Sequence, residues 1–239
     1  MAIDEHWLNE AVRAHRVHPV RFAGHTFLLD GRGVLYCPVR DALVVSDLHL
    51  EKGSFLGQFA NPIPQFDSLS TLRRLNTILD DYSPRTVVCL GDSFHDKGAF
   101  ERLGTQERQL LQTLIGQCEQ WYWILGNHDP EIPRAFGGVG VESVRWQGVV
   151  FRHEPERDPT LSQIVGHYHP KCRAVIARRR YSGRCFVRND RLMIMPAFGQ
   201  YTGGLDINHE ALLSWLAPRE REVFLTFDKK VYAVSRASV

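Results

Sequence analysis

Three short apolar runs alternate with two stretches of helical periodicity between residues 42 and 125 of this chain. The runs are 42–45, 86–90 and 121–125, and the helical stretches carry Leu69, Leu72, Leu75, Ile78 and Leu79, then Leu110, Leu111, Leu114 and Ile115. Apolar residues three and four apart indicate an amphipathic helix, whereas a short continuous run suits a strand covered on both faces. We expect Asp67 or Ser68 to cap the first helix and Thr105 the second. The alternation predicts parallel β-α-β units with right-handed crossovers.

The segments that flank the first of these strands add a helix, a hairpin and a long loop. Residues 4–16 carry a modest helical stripe of apolar positions. Residues 25–29 and 34–36 flank an Asp-Gly-Arg-Gly turn signal at 30–33, which predicts a hairpin. Residues 51–64 are rich in Gly, Phe and Pro and have no clear period, so we expect a long loop there.

The pattern changes after residue 140, where short apolar runs separated by turns predominate. These runs are 149–151, 163–165, 174–176, 185–187, 192–195, 223–227 and 231–234. Among them only 208–217 has helical spacing, with Asn208 in the position of an N-cap. A β-rich second half needs a sheet of its own, so we expect an α/β fold of two sheets packed face to face with helices outside.

Composition narrows the class of protein without naming a partner. The chain has 239 residues, of which 44% are apolar and 23% charged, and its formal net charge is +2, a profile that fits one globular domain. Five scattered cysteines without a C-x-x-C pair argue against a disulfide framework or structural zinc and for a reducing compartment. The N-terminus is acidic where a signal peptide is basic, and no apolar stretch approaches the roughly 18 residues of a membrane span. We therefore expect a cytoplasmic protein without membrane contact.

Potential metal ligands follow five of the predicted strands. They are Asp47, His49, Asp92, Asn127, His153, His167 and His169. Because ligands of α/β sheets gather beyond the carboxyl ends of the strands, we expect these side chains to converge. Asp47 and His49 flank one residue, so in extended chain both point to one face. The two oxygens of Asp92 are able to bridge a pair of ions.

The chemistry of this donor set indicates two divalent metal ions. Carboxylate, amide and imidazole ligands without a thiolate favour manganese, our first expectation, or iron or zinc, over calcium or magnesium. Two carboxylates against two divalent ions leave an excess of positive charge, which suits an anionic phosphate substrate. Such a metal pair activates water and stabilises the attacking and leaving oxygens of an in-line displacement.

Three further residues in these motifs are candidate catalytic groups. His128 is not needed as a ligand and is free to protonate a leaving alkoxide. Asp129 is placed in the sequence to orient His128 from behind, as carboxylates do for catalytic imidazoles. His95 either orients the leaving group or lies at the edge of a turn formed by residues 96–98.

Taken together and in this order, the motifs resemble those of calcineurin-like metallophosphoesterases. They are Asp47-x-His49, Gly91-Asp92, Gly126-Asn127-His128-Asp129, His153 and Gly166-His167-x-His169, within residues 43–200. The resemblance implies one metal held by Asp47, His49, Asp92 and His169, another held by Asp92, Asn127, His153 and His167, and protonation of the leaving group by His128. It also implies a four-layer α-β-β-α sandwich of two mixed sheets. We expect a single domain over 1–239, to which a helix and hairpin at 1–40 and a hairpin at 222–236 are additions.

Several short sequence segments resemble particular groups within this family. The segment Gly91-Asp92-Ser93-Phe94-His95 departs from the Gly-Asp-x-x-Asp-Arg-Gly of the family's protein phosphatases and is similar to the Gly-Asp-x-Phe-His of its SbcD-type nucleases. Residues 47–53 (DLHLEKG), 151–155 (FRHEP) and 196–206 (PAFGQYTGGLD) resemble the PdeM group of bacterial ligase-associated DNA-damage-response phosphoesterases. That group implies metal-dependent cleavage of phosphodiester bonds in nucleic acid, with a DNA ligase and a helicase as functional neighbours.

A basic tract over residues 171–191 independently favours a nucleic-acid substrate. It contains eight Lys or Arg residues against one Asp and begins directly after the His-x-His motif. Arg178, Arg179 and Arg180 are candidate phosphate contacts, and Tyr201 is a candidate to approach the site. The alternatives are a hairpin that points these arginines away from the crevice and, for Tyr201, a Gly-rich turn.

Three functions remain distinct at this point. The leading one is hydrolysis of phosphodiesters in DNA, as in bacterial DNA repair, and the second is hydrolysis of a small phosphate ester or nucleotide pyrophosphate by the same metal core. The third is a non-catalytic scaffold, but scaffolding members of the family lose His128 or several ligands, and none is missing here. The sequence leaves open endonuclease or exonuclease action, the strandedness of the substrate, the native metal and the oligomeric state, a homodimer included.

Overall fold

Two mixed β-sheets form the centre of the molecule in the computed structural model, which describes residues 4–57, 66–158 and 160–235. Sheet I contains β1 (Val17–Phe22), β2 (His25–Asp30), β3 (Val34–Cys37), β4 (Ala42–Val45), β5 (Thr86–Leu90), β6 (Gln120–Ile124) and β7 (Val139–Val141), in that order. Sheet II contains β8 (Ser143–Trp146), β9 (Val149–Arg152), β10 (Ser162–Val165), β11 (Lys171–Ile176), β12 (Arg179–Arg188), β13 (Leu192–Ile194), β14 (Glu222–Phe227) and β15 (Lys230–Val234). Its order is β15-β14-β12-β13-β10-β9-β8, with β11 paired to β12.

Helices cover the outer faces of both sheets. They are α1 (Glu5–Arg13), α2 (Lys52–Gly57), α3 (Asp67–Tyr82), α4 (Ala99–Arg102), α5 (Thr105–Gly116) and α6 (Glu210–Leu213), with short 3-10 turns at Pro38–Arg40 and Arg134–Phe136. Within the parts of the chain that the structure describes, no helix is long and apolar enough to cross a membrane.

Side chains alternate along the strands between separate apolar cores, which defines the layers. Leu43 of β4 lies in the core between sheet I and its helices together with Leu75 of α3. The next residue, Val44, lies in the core between the two sheets with Ile164 of β10. A third core on the outer face of sheet II includes Leu212 of α6. The order of layers is therefore helix, sheet, sheet, helix, and the predicted four-layer sandwich of two mixed sheets is confirmed.

The parallel strands of both sheets point toward the same edge of the sandwich. In sheet I, β4, β5, β6 and β7 are parallel, and β1 to β4 pair as antiparallel neighbours. In sheet II, β10 is parallel to both β9 and β13. The predicted β-α-β units over residues 42–125 are confirmed, and the edge at which these strands end is referred to below as the loop edge.

The predicted capping residues of α3 and α5 have other positions and partners. Asp67 is the first residue of α3, and its carboxylate accepts a hydrogen bond from the backbone N–H of Gly53 at 2.9 Å. The Ser68 hydroxyl accepts from the backbone N–H of Glu51 at 2.7 Å and donates to its carboxylate. Thr105 is likewise the first residue of α5 rather than its cap. Asp67 and Ser68 therefore hold the segment that contains α2 instead of the start of their own helix.

Two other predicted segments differ from the structure. The expected loop at 51–64 contains α2, and its remainder, residues 58–65, lies outside the described part of the chain. The expected helix at 208–217 is limited to α6, and its cap is His209, whose ring accepts from the backbone N–H of Ala211. Asn208 does not cap this helix because its side-chain oxygen accepts from the Arg221 guanidinium at 2.6 Å.

Three strands of the described structure, β1, β7 and β8, were not predicted from the sequence, each for a physical reason. The edge strand β1 contains Pro19, which lacks a backbone N–H and is compatible with an edge position. The strands β7 and β8 have three and four residues, and most of these are exposed. Strands this short and this polar carry too little apolar periodicity to be recognised.

Candidate metal centre

Five loops that follow parallel strands meet at the loop edge. They come after β4, β5 and β6 of sheet I and after β9 and β10 of sheet II. The carboxyl ends of such strands are where side chains of different loops can share a ligand. Backbone hydrogen bonds connect these loops to one another and to the loop after β13. The N–H of His49 donates to the carbonyl of Asp92 at 2.9 Å, and the N–H of Phe198, after β13, donates to the carbonyl of Ser46 at 2.8 Å. The second bond joins the two sheets.

Six of the seven predicted ligands lie in three overlapping groups, in each of which the potential ligand atoms are within 4.8 Å of one another. The groups are Asp47 with His49 and His169, His49 with Asp92 and His128, and Asp92 with His153 and His167. Because His49 and Asp92 each belong to two groups, the three form one continuous set. Carboxylates and imidazoles in this number are suited to two divalent transition-metal ions.

Five residues of this set have a left-handed backbone conformation that residues other than glycine rarely adopt. They are Asp47, His49, Asp92, His167 and His169, with φ values of 52°, 44°, 46°, 68° and 47°. The two side chains of Asp47 and His49 do lie together, as expected. The expected cause, an extended chain, was wrong, because the backbone turns sharply at both residues. Left-handed backbone outside glycine is concentrated at functional sites, where the surrounding structure holds it in place.

The orientation of the imidazole rings directs nitrogen lone pairs into the set. The Nδ1–H of His153 donates to the backbone carbonyl of Leu90 at 2.8 Å, because a carbonyl only accepts. Its Nε2 therefore faces inward, 3.2 Å from Nδ1 of His167 and 3.4 Å from Oδ2 of Asp92. On the other side, Nε2 of His49 lies 3.4 Å from Nε2 of His169. Imidazole nitrogens that face each other this closely converge on positions suited to a cation, so the donor set fits a pair of metal ions.

Burial and ion pairing set the charges of these groups. Burial raises the pKa of Asp92, but the hydrogen bond and positive charge of His153 outweigh it and hold the pKa below its ordinary range. Burial lowers the pKa of His153, but Asp92 and Asp47 together raise it to about 9. Burial lowers the pKa of His49 to about 3. Near neutral pH the carboxylate is thus ionised and His49 neutral, as ligation requires, while His153 carries a proton that a bound cation would displace.

His128 lies at the open side of the set, where its side chain is 44% exposed. Its Nδ1–H donates to the backbone carbonyl of His95 at 2.6 Å, and its Nε2 is 4.0 Å from Oδ2 of Asp92. The ring of His95 stacks on that of His128, with 5.1 Å between centroids and 20° between the planes. The His128 ring is therefore held in one orientation, with Nε2 directed toward the space beside Asp92.

Asp129 has a different role from the one expected of it. Its buried carboxylate accepts from the backbone N–H groups of Gly126 at 3.1 Å, Ser93 at 2.7 Å and Phe94 at 3.1 Å. The partner that orients the His128 ring is the His95 carbonyl instead. Burial raises the pKa of Asp129 to about 7. Asp129 therefore ties together the two loops that carry Asp92 and His128, and it positions the catalytic candidates through their backbone.

A family model described as calcineurin-like phosphoesterase matches residues 41–198, a stretch that contains all five loops of this site. The chain belongs to this family. It is accordingly a phosphoesterase, an enzyme class whose members use divalent metals. A comparison with curated proteins gives no match.

Two solved structures are similar to this phosphoesterase to different degrees. The crystal structure of Pseudomonas putida nuclease MPE has 24% sequence identity and a TM-score of 0.69, over 91% of this chain and 100% of that one. The Escherichia coli phosphoesterase YfcE has 12% identity and a TM-score of 0.42, over 82% and 98% of the two chains. The first of these likenesses supports the four-layer fold along nearly the whole length of the phosphoesterase.

The remaining predicted site residues of the phosphoesterase lie at different distances from the candidate metal centre. Asn127 is exposed at the loop edge and lines a cavity of about 270 Å³ together with His153. Tyr201 lies in the turn that follows Gly199, whose N–H donates to the carbonyl of Asp47. The arginines at 178–180 lie at the tip of the β11–β12 hairpin, about 20 Å along a six-residue strand from the candidate metal ligands. The structure thus brings Asn127 to the site but places the arginines about 20 Å from it.

Sequence reasoning missed two side chains that interact with residues of this candidate site. The Ser46 hydroxyl donates to Oδ2 of Asp47 in a short hydrogen bond. Lys52 on α2 lies close enough for its charge to lower the pKa of His95 and to be stabilised by Asp92. Both adjoin the Asp47 motif in the sequence, which is the signal that would have identified them.

Proposed function

We propose that this phosphoesterase is a metal-dependent phosphodiesterase that cleaves nucleic acid, with DNA as its substrate. The observation that carries the proposal is the continuous set of groups that share His49 and Asp92 at an exposed edge of the sandwich. Most of these donors are buried, but the set is open on the side of Asn127 and His128, which are exposed. This open side leaves room for a polymer to pass, whereas an enclosed pocket would select a small ester.

One metal ion is held in this proposal by Asp47, His49, Asp92 and His169, and the other by Asp92, Asn127, His153 and His167. When bound, such ions supply an activated water and stabilise the charge that develops on the phosphate oxygens. Manganese is the first candidate, with iron or zinc as alternatives, because carboxylate and imidazole donors occur together without thiolate.

His128 is the general acid in the proposed reaction. Its Nδ1–H is engaged with the His95 carbonyl, so the exchangeable proton that reaches the substrate is on Nε2. Stacking by His95 keeps the ring in the plane that directs Nε2 toward the reacting phosphate. His128 then gives its proton to the leaving alkoxide, which would otherwise depart as a strong base.

The nucleic-acid substrate is supported by charge and by likeness to other proteins. Arg173, Arg178, Arg179 and Arg180 are exposed on the β11–β12 hairpin, and none of them has a carboxylate partner within residues 4–57, 66–158 and 160–235. Unpaired arginines suit a phosphate backbone. The solved structure with a TM-score of 0.69 is that of a nuclease, and the sequence phrases resemble ligase-associated phosphoesterases. We further propose that the protein acts in DNA repair in the cytoplasm, with a ligase and a helicase as functional neighbours.

The test is a substrate panel with the His128→Ala variant. Metal-stripped protein is reloaded with manganese, zinc or magnesium and given labelled single-stranded DNA, duplex DNA, RNA, an aryl phosphodiester and a phosphomonoester. We expect manganese-dependent cleavage of DNA and a fall in its kcat of about 10²–10⁴-fold in His128→Ala. The kcat for the aryl phosphodiester should fall much less in His128→Ala, because its leaving group needs no proton.

A control variant and an adverse outcome make this test decisive. His6→Ala removes an exposed histidine on α1, whose ring lies 3.4 Å from the Glu10 carboxylate, and should leave all rates unchanged. Cleavage of the phosphomonoester alone, with every nucleic acid left intact, would favour the small-ester function and overturn the proposal.

A further inference from the structure

A second concentration of positive charge lies in a cavity of about 320 Å³ away from the metal centre. Its polar lining consists of Arg32, Arg74, Arg184 and Lys229 with Thr77 and Thr226. We call it the basic cavity. It is formed by α3, the β2–β3 turn, the start of the sandwich portion of β12 and the β14–β15 turn.

Of the three arginines in the basic cavity, two have no carboxylate partner among the described residues. Arg32 pairs with Asp30 and Asp81, so its charge is neutralised. Arg74 and Arg184 take part in no ion pair among the described residues, and burial lowers the pKa of both, with the charge of Arg74 further lowering that of Arg184 to about 10. Two unneutralised guanidinium groups beside one another favour an anion between or above them.

The hydrogen bonds of these two arginines differ in a way that matters for a ligand. Arg184 donates to the carbonyls of residues 197–199 and to the Thr202 hydroxyl, at distances from 2.6 to 3.1 Å. Arg74 donates once, to the Phe198 carbonyl at 3.3 Å, and its guanidinium lies 4.4 Å above the Phe198 ring. Most of the five N–H donors of Arg74 therefore remain available, in the forked geometry that matches phosphate oxygens.

The basic cavity opens at the same edge of the sandwich as the metal centre. The β2–β3 turn lies beside the carboxyl end of β4, because β3 is antiparallel to β4. In sheet II the β14–β15 turn is three strand positions from β10. At about 4.8 Å per strand position, the cavity lies about 10–15 Å from the metal ligands. A nucleic-acid strand covers this distance in about three to five nucleotides at about 3.4 Å each.

We propose that the basic cavity binds a phosphate group of the substrate strand, a few nucleotides from the bond cleaved at the metal centre. Arg74 holds the phosphate oxygens, Arg184 adds its charge from behind, and Lys229 adds an exposed ammonium at the rim. The inference rests on the proposed nuclease function for the identity of the ligand. It gives the enzyme a preference for chains long enough to reach both sites.

The test measures binding of labelled single-stranded oligonucleotides to chelator-treated protein by fluorescence anisotropy over a range of salt concentrations. Arg74→Gln and Lys229→Gln remove cavity cations, and Arg219→Gln removes an exposed arginine elsewhere as the matched control. We expect each cavity variant to weaken binding of long oligonucleotides about fivefold to tenfold and to reduce the salt slope by about one. Oligonucleotides too short to span the two sites should lose far less.

Lys229 keeps the test valid if Arg74→Gln disturbs the packing on Phe198, because Lys229 is exposed in a turn. Thermal unfolding of each variant identifies such a disturbance. Unchanged affinity and salt slope in a folded Arg74→Gln and in Lys229→Gln would overturn the proposal. So would calorimetric binding of inorganic phosphate that depends on Arg74 while oligonucleotide affinity does not, since the cavity would then serve a free anion.

Cleavage assays with manganese on the same oligonucleotides separate this proposal from the proposed function. If the wild-type protein binds strands through the cavity and cleaves none, the nuclease assignment is wrong and the proposal for the basic cavity is supported. If it cleaves them and the cavity variants match Arg219→Gln in binding and in rate, the nuclease assignment stands and the cavity proposal fails.

Discussion

At the scale of single residues, Gly166 shows how closely the loops of the metal centre approach one another. A Cβ atom at this position would lie 1.9 Å from Oγ of Ser46 and 2.6 Å from Oδ2 of Asp47. The glycine was visible in the sequence as part of a motif, but its reason was not, because it depends on contact between the two sheets. The convergence of these side chains could be predicted from the sequence, whereas the left-handed turns that aim them could not.

Replacement of Gly166 by alanine should therefore damage the site more than the fold. We expect Gly166→Ala to force Ser46 and Asp47 apart, to lower metal content and activity, and to reduce the free energy of unfolding by about 1–3 kcal/mol. Elemental analysis and urea unfolding measure these changes. Gly203→Ala is the control, since no atom lies within 4 Å of a Cβ there. Wild-type metal content in Gly166→Ala would contradict the close approach.

At the scale of secondary-structure elements, the length of the β11–β12 hairpin was underestimated most. Only 174–176 and 185–187 have apolar runs, yet β12 extends over ten residues. Its first half pairs with β11 alone, through register pairs such as Val175 with Arg180, and is largely exposed. A strand exposed on both faces has no apolar alternation, so its length is not predictable from periodicity. Contact between the rings of Tyr181 and Phe227, 5.1 Å apart, connects the hairpin to β14.

The charge of the hairpin tip should contribute to binding of nucleic acid independently of sequence. Combined substitution of Arg178, Arg179 and Arg180 by Gln is expected to weaken oligonucleotide binding by about tenfold or more and to make its salt dependence shallower, because fewer counterions are released. Anisotropy titrations at several salt concentrations measure both effects. The matched Arg→Lys triple variant should retain the salt slope. Equal affinities of the Gln triple variant and the wild type would place the hairpin outside the substrate path.

At the scale of the whole molecule, the sequence predicts the layers better than the edges of the sheets. Continuous apolar runs identify β4, β5 and β6 because their side chains are buried on both faces. The strands at the margins, β1, β7 and β8, pack on one face or are exposed, and they were missed. Along one margin, His18 of β1 packs on Phe224 of β14, with 5.2 Å between ring centroids, and thereby connects sheet I to sheet II.

The contact at His18 predicts a loss of stability in acid. Burial, and then the nearby charge of His15, lowers the pKa of His18 in the folded protein, while Glu222 opposes the shift. A histidine with a lowered folded pKa contributes stability that is present above its unfolded pKa and is lost as pH falls through the folded pKa. The free energy of unfolding of chelator-treated protein should therefore decrease from about pH 7.5 to about pH 5.5.

Two variants isolate the contribution of His18 to this decrease. His18→Gln cannot gain the proton, so its urea-unfolding free energy should change less between the two pH values than that of the wild type. His6→Gln, which alters an exposed histidine on α1, should follow the wild type. An identical decrease in His18→Gln would assign the acid sensitivity to other groups.

Backbone N–H groups of Phe198 and Gly199, which follow the last parallel strand of sheet II, donate to the carbonyls of Ser46 and Asp47 after β4 of sheet I. These two hydrogen bonds thus connect the two sheets and also hold the loop that carries Asp47 and His49, two of the candidate metal ligands. We therefore expect that separation of the two sheets displaces this loop and abolishes activity at the same time. The enzymatic rate measured along a denaturation curve should therefore decrease in proportion to the fraction of folded protein.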